Sequence, residues 1–467
     1  MESLLLTIDI GTTAIKYDIH DEANVLYSTK SRIKTNNFED RATQNPEEIL
    51  EQIKADITKL TGKYKSISEI SFSVAMHTLI PISDSDEKEM LLWSDNRATQ
   101  VITDFKKNEL DKQRIFYEKT GTPIHAMSPF AKLLYFKEKD KEYFQKINFW
   151  SDIKSFILHY MTGEWCTDFS TASATGLFNS LTLEWDVEIL NFLGLKVEQL
   201  PFLKHPKEKK SLLKKVALEL GLVNHVTVRL GASDGCLAAL GSYDVTGSPK
   251  SITLGTSGAV RLLSSTRKLS ANGSTFCYYL DDDKWVVGGP SNNGGRTLEW
   301  LSQLLYEDDS TIFSVLSNMK KDNKLVFLPY LQGERAPIWD SDERGSFYGL
   351  SLTNSKLEII QAVVEGVLFN LYFIYNQINM AKDNDLIVLN GGVFQNKEIP
   401  QMLATVFNSP CFVSKQTEPS HGLKMWWSEK QDIKSEGLYY YPSKSENEIK
   451  YYEQKYRLFC QYLDTNN

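Results

Sequence analysis

Thr7-Ile8-Asp9-Ile10-Gly11-Thr12-Thr13-Ala14-Ile15-Lys16 recurs in form as Ile252-Thr253-Leu254-Gly255-Thr256-Ser257-Gly258-Ala259-Val260. Each copy is an alternating β run, a Gly-Thr-Thr/Ser turn and a second β run, which is the pattern of a hairpin. Glycine lets the turn backbone approach a ligand, and the hydroxyls with exposed N–H groups suit phosphate oxygens. One such turn carries little information. Two of them imply related lobes whose hairpins face each other across one nucleotide.

At 467 residues the chain exceeds one ordinary core and should divide in two. Its net charge of −8 argues against a nucleic-acid partner. Cys166, Cys236, Cys277, Cys411 and Cys460 are scattered, with no Cys-x-x-Cys pair, so neither a disulfide framework nor a zinc site is indicated. Asp9 breaks the first apolar run, which excludes a signal peptide, and no apolar run approaches the ~18 residues of a membrane span. A soluble, cytoplasmic protein with no membrane partner is expected.

Strands are expected at Leu4–Ile10, Ala14–Ile19, Val25–Ser28, Ile67–Val74, Val226–Leu230 and Leu386–Leu389. Asn45-Pro46-Glu47-Glu48 reads as a capped helix start, and Ser355 as the cap of a long helix. Gly241 to Pro249 is turn-rich and marks the lobe boundary, giving lobes over residues 1–243 and 250–467. Strands and helices alternate in both halves, so the class is α/β with mixed sheets.

Asp9 lies on a strand two residues before the first turn, where a carboxylate holds a Mg²⁺–water cluster against nucleotide phosphates. Lys16 would steady phosphate charge. Asp234 sits where a strand ends and a small-residue helix begins, at the carboxyl edge of a sheet. As a general base it would take the proton of a hydroxyl attacking the γ-phosphate; its plainer role is a helix cap. The same residues, Gly231-Ala232-Ser233-Asp234-Gly235, match Gly-x-Ser-x-Gly, so Ser233 competes as a hydrolase nucleophile, with His421 and one of Asp340, Asp342 or Asp385. No P-loop and no Gly-x-Gly-x-x-Gly is present.

With these pieces placed, the chain resembles the FGGY carbohydrate kinases of the actin/Hsp70/hexokinase-like superfamily. The landmarks are Asp9-Ile10-Gly11-Thr12-Thr13, Met76-His77, Trp93-Ser94-Asp95-Asn96-Arg97, Gly231 to Gly235, Gly255-Thr256-Ser257, Asn292-Asn293-Gly294-Gly295, Gly333-Glu334-Arg335-Ala336-Pro337 and Gly391-Gly392. The resemblance implies two ribonuclease-H-like lobes with an interlobe active-site cleft. It implies ATP and Mg²⁺, with Asp234 as base and Asp9 toward the metal through water. Gly11, Thr12, Thr13, Lys16, Gly255 and Thr256 would hold phosphates, while Gly295, Glu299, Gly391, Gly392 and Asn396 would lie near the nucleotide. Met76, His77, His125 and Met127 fall where sugar contacts occur.

Within the family the stretches Trp93–Arg97, Thr120–Pro129 and Ala172–Leu177 look most like gluconate kinases, which implies phosphorylation of D-gluconate to 6-phospho-D-gluconate. A xylulose or other pentulose kinase is the alternative, and so is a sugar-binding relative without turnover. A sugar acid needs a basic partner, for which Lys132, Lys154 and Arg97 are candidates. A homodimer fits the resembled family. One departure stands out: Glu418-Pro419-Ser420-His421-Gly422-Leu423-Lys424-Met425-Trp426-Trp427 carries bulky residues where the family has alanines. This implies a helix rebuilt in a shifted register, or altered nucleotide binding.

Overall fold

The computed structural model describes residues 3–83, 88–222, 225–307, 312–313, 315–378, 385–414, 418–428 and 436–466. Strands β1 (Leu4–Ile10) and β2 (Ala14–His20) pair antiparallel, with Asp9 opposite Lys16 and Ile10 opposite Ile15, leaving Gly11–Thr13 as the turn. β3 (Val25–Arg32) adds antiparallel to β2. Helix α1 (Pro46–Lys63) starts where Asn45 accepts the N–H groups of Glu47 and Glu48. Ile49, Ile53, Ile57 and Leu60 then face the core at helical spacing.

The chain returns as β4 (Ile67–Val74), parallel to β1. Helix α2 (Pro129–Lys139) follows, its N-terminus capped by Ser128. β5 (Lys209–Ser211) pairs antiparallel with β6 (Thr227–Ser233), which lies parallel to β4 and runs directly into α3 (Asp234–Thr246). The sheet order is β5-β6-β4-β1-β2-β3. The turn expected at Gly241 to Pro249 is corrected here, because α3 continues through Thr246. Leu240 and Ser242 are buried, and the Ser242 hydroxyl donates to the carbonyl of Ala238, so packing overrides local turn preference.

In the second half, β7 (Lys250–Leu254) and β8 (Gly258–Ser264) form the second hairpin, with Gly255–Ser257 as its turn. β9 (Lys284–Ser291) leads to helix α4 (Gly295–Leu305). Helix α5 (Lys356–Gln377) starts at a capping box between Ser355 and Glu358. β10 (Ile387–Asn390) runs parallel to β7, and β11 (Cys411–Ser414) parallel to β10. After α6 (Glu418–Trp427), β12 (Gly437–Tyr440) pairs antiparallel with β11. The strand run is β9-β8-β7-β10-β11-β12. The segment β8-β7-β10-β11 thus repeats β2-β1-β4-β6: one hairpin, then two parallel strands. The duplication read from two short stretches is a duplication of topology.

By length and composition α5 is apolar enough to cross a membrane, which the reading of apolar runs did not anticipate. It is mostly buried within its own unit, and its polar residues are satisfied there: Lys455 pairs with Glu365, and Gln361 donates to Glu365.

The chain forms two units, Met1–Asp244 with Ser264–Val286 and Thr417–Asp432, and Val245–Leu263 with Val287–Gln416 and Ile433–Asn467. The sequence division at 243/250 assigns residues 264–286 and α6 to the second lobe, whereas the fold groups them with the first. Cys277 N–H donates to the carbonyl of Gly121 at 2.8 Å, Tyr279 N–H to the Ser173 hydroxyl at 3.1 Å, and α6 packs on β1 and β4.

Candidate active site

In the first unit the parallel strands β1, β4 and β6 bring their carboxyl ends to one edge. Asp9 pairs in register with Ser73, and Ser73 with Ala232, which puts Asp234 just beyond the same edge. The alignment depends on a bulge. The β6 register shifts between Arg229 and Ala232, where Gly231 has φ +73° and a Cβ would meet the Phe72 carbonyl oxygen at 1.8 Å.

Asp9 is buried, accepts a 2.7 Å hydrogen bond from Ser73 and lies 3.6 Å from the exposed Lys16 ammonium. Burial holds its carboxyl above the usual range, opposed by Lys16 and Ser73. Asp234 opens α3 half-buried, its Oδ1 accepting the Gly235 N–H at 2.7 Å. Thr12 is half-buried and Thr13 exposed. The Gln44 amide donates to the Thr12 carbonyl at 2.6 Å and the Ile33 N–H to that of Thr13 at 3.0 Å, so the turn is held from its carbonyl side.

The expected sugar contacts fall on two neighbouring segments of this unit. Met76 is half-buried after β4. His77 follows at φ +66°, its Nδ1 2.6 Å from the carbonyl of Ala174 and its ring edge-on to Tyr278. His125 and Met127 are buried before α2, and the Met127 N–H donates to His125 Nδ1 at 3.2 Å. Lys132 joins the segments, donating from Nζ to the carbonyls of His77 at 2.8 Å and Met127 at 2.9 Å.

In the second unit three glycines close on the Gly255–Ser257 turn. A Cβ on Gly294 would stand 2.6 Å from the Ser257 carbonyl carbon. One on Gly295 would stand 2.6 Å from the Gly255 oxygen, and one on Gly391 2.3 Å from the Leu254 oxygen. The Gly295 and Arg296 N–H groups donate to the carbonyls of Gly255 and Thr256, so the start of α4 is bonded to the turn. Gly255 and Gly392 face open space, and Thr256 is exposed. Glu299 is exposed one turn along α4, and Asn396 accepts from the Glu398 N–H. Glycine is demanded less in the Gly-Thr turns than in the segments packed against them.

Two residues escaped the sequence reading. Ser73 gave only the signal of a small polar side chain in an apolar strand. Glu334, in Gly-Glu-Arg-Ala-Pro, is fully buried and accepts from the N–H groups of Asn292 and Arg335 and from the side chains of Ser291, Asn293 and Asn370, at 2.7 to 3.1 Å. It anchors the segment entering α4. Burial pushes its carboxyl up, against those hydrogen bonds.

The hydrolase reading fails on geometry. Ser233 is fully buried with its hydroxyl 3.0 Å from that of Ser170, and His421 pairs with Asp244 at 2.7 Å. Of the basic candidates, Arg97 forms a two-pronged pair with Asp95 at 2.8 Å, Lys154 pairs with Asp168 in full burial, and Lys132 is committed to backbone. The departing segment is helix α6 of the first unit, and its small residues carry its closest approaches. Ser420 bonds Thr7 at 2.7 Å, and a Cβ on Gly422 would meet the Leu237 oxygen at 2.5 Å. Met425, Trp426 and Trp427 are half-buried.

Comparison with known proteins gives the family. Residues 4–241 match the N-terminal domain, and residues 251–423 the C-terminal domain, of the FGGY family of carbohydrate kinases. A gluconokinase of Bacillus subtilis (strain 168) is 34% identical over 443 residues, covering 90% of this chain and 86% of that protein. The crystal structure of gluconate kinase from Lactobacillus acidophilus superimposes with a TM-score of 0.93 at 31% identity, over 100% of this chain and 98% of that one. A ligand-bound xylulose kinase from the same organism gives 0.92 at 32%, over 99% and 98%. The chain belongs to the FGGY family of carbohydrate kinases and is an ATP-dependent sugar kinase.

Proposed function

We propose that this kinase transfers the γ-phosphoryl group of ATP to the primary hydroxyl of D-gluconate in the cytoplasm, giving 6-phospho-D-gluconate. The observation that carries the transfer chemistry is the strand edge that aligns Asp9, Ser73 and Asp234. The choice of acceptor rests on the 34% identity to a gluconokinase over 90% of the chain. Asp234 accepts the proton of the attacking hydroxyl as that oxygen bonds to the γ-phosphorus and the bond to the β,γ-bridging oxygen breaks, releasing ADP. The turns Gly11–Thr13 and Gly255–Ser257, with Lys16, take the phosphates. Gly295, Glu299, Gly391, Gly392 and Asn396 line the nucleotide, and Met76, His77, His125 and Met127 the acceptor.

Among the described residues no three His, Cys, Asp or Glu side chains gather to hold a metal ion, and Asp9 offers one carboxylate. Asp9 would hold the Mg²⁺ of the nucleotide through water, since this ion keeps most of its water shell, and such an ion would neutralise charge on the phosphate oxygens.

A pentulose acceptor is the second reading. The near-equal match to a xylulose kinase favours it, as does the commitment of Lys132, Lys154 and Arg97 to other partners. A coupled ADP-release assay with Mg-ATP and a panel of gluconate, xylulose, ribulose and glycerol decides between them. Gluconate-dependent turnover is expected, falling ~10²–10⁴-fold in Asp234→Asn, the range for a lost general base. Turnover confined to a pentulose would overturn the acceptor, and near-normal turnover in Asp234→Asn would remove the base.

A further inference from the structure

We infer that Lys132 is a positioning residue of the acceptor site, its ammonium tying the carbonyls of His77 and Met127 together and setting how both segments meet the sugar. The inference rests on the acceptor site proposed above and deepens it. Lys132 is completely buried, between neighbours on α2 that are themselves buried and apolar: Phe130, Ala131, Leu133 and Leu134. A site that needed only packing would be better served by another apolar side chain, because a buried ammonium is costly unless its protons are taken up. Among the described residues Lys132 forms no ion pair, and its two bonds go to backbone at 2.8 and 2.9 Å. Those carbonyls belong to segments remote in sequence, and neither lies in a strand or helix. His77 stands beyond the end of β4 in a left-handed conformation, where no sheet ladder fixes its peptide plane. The ammonium bonds its carbonyl directly.

The charge also titrates in a useful range. Burial drives Lys132 down to about 7, with Asp95 opposing and Arg97 reinforcing the shift. The charged groups acting on it are Asp95 and Arg97, from the loop after Met90–Leu91, and the two segments it ties carry the titratable His77 and His125. As pH rises through this range the ammonium becomes a neutral amine, a weaker donor to both carbonyls.

The test is steady-state kinetics of wild type and Lys132→Met from pH 6 to 9, varying acceptor and ATP separately. Leu133→Ala, a truncation of the fully buried neighbour, is the control for loss of packing. Expected at pH 6.5 is an acceptor KM raised tenfold or more in Lys132→Met, with the ATP KM within twofold. In wild type the acceptor KM should climb between pH 7 and 9 and should stay flat in the variant. Leu133→Ala should lower Tm without moving either KM. An unchanged acceptor KM in folded Lys132→Met overturns the inference, as does the same KM shift in Leu133→Ala. Should Lys132→Met not fold, Lys132→Gln takes its place, and an unchanged acceptor KM in that variant overturns the inference. Absence of wild-type turnover with every sugar would instead refute the proposed function itself.

Discussion

Gly231 shows how much of the site hangs on one residue. A side chain there would be strained at φ +73° and would run into the Phe72 carbonyl oxygen 1.8 Å away. Gly231→Ala should therefore cost ~3 kcal/mol or more, read as a lower urea midpoint or as loss of soluble protein. A fully stable Gly231→Ala would mean that the bulge does not set the register of Asp234. Asp9 carries the opposite balance. Its folded carboxyl is raised above its unfolded value by burial. The stability this contributes is fully present below the unfolded value near pH 3.8 and is lost as pH rises through the folded one. Ionisation of this carboxyl thus works against folding. Asp9→Asn should raise Tm while lowering kcat, and a variant that loses both would show that Asp9 is structural. Glu334 is legible only as one letter of a family landmark, because nothing in the sequence says that five donors converge on it.

At the scale of elements, α6 carries the clearest lesson. Its composition implies a helix rebuilt in a shifted register or altered nucleotide binding, and the fold makes it a helix packed against β1 and β4 of the first unit. His20 Nε2 lies 2.9 Å from the Ser420 hydroxyl and 3.1 Å from that of Thr7, His421 meets Asp244, and the Lys424 ammonium donates to the Ala23 carbonyl at 2.8 Å. The register that turns Ser420 and Gly422 toward the sheet and α3 depends on partners hundreds of residues away. Burial lowers His20 to about 4, with Asp18 and Asp21 opposing and Lys424 and His421 reinforcing. A depressed folded value leaves stability intact above the unfolded 6.5 and erodes it as pH falls toward 4, by ~3 kcal/mol over that interval. Urea melts at pH 7, 6, 5 and 4 should show this loss in wild type and a shallower one in His20→Gln. Equal acid sensitivity in the two proteins would take His20 out of the account.

At the scale of the molecule, two units share one topology, and the proposed reaction assigns the acceptor groups to the first and the glycine-lined turn to the second. Hydrogen exchange should report that division. Gluconate should slow exchange in residues 74–78 and 124–132, and ADP in residues 250–260, 292–297 and 390–396; protection of the same segments by both ligands would contradict it. The sequence by itself determined the α/β class, the duplication and the two carboxylates of the strand edge, Asp9 and Asp234, because β alternation, Gly-Thr turns and a capped helix start are local patterns read within a few residues. Tertiary structure alone decided that α3 runs through its turn-like residues and that 264–286 and α6 join the first unit. It alone decided that Ser233 is buried and that the three candidate cations are spent on Asp95, Asp168 and backbone. The physical reason is common to all of these: burial and the pairing of buried polar groups are set by neighbours distant in the chain, and no local pattern records them.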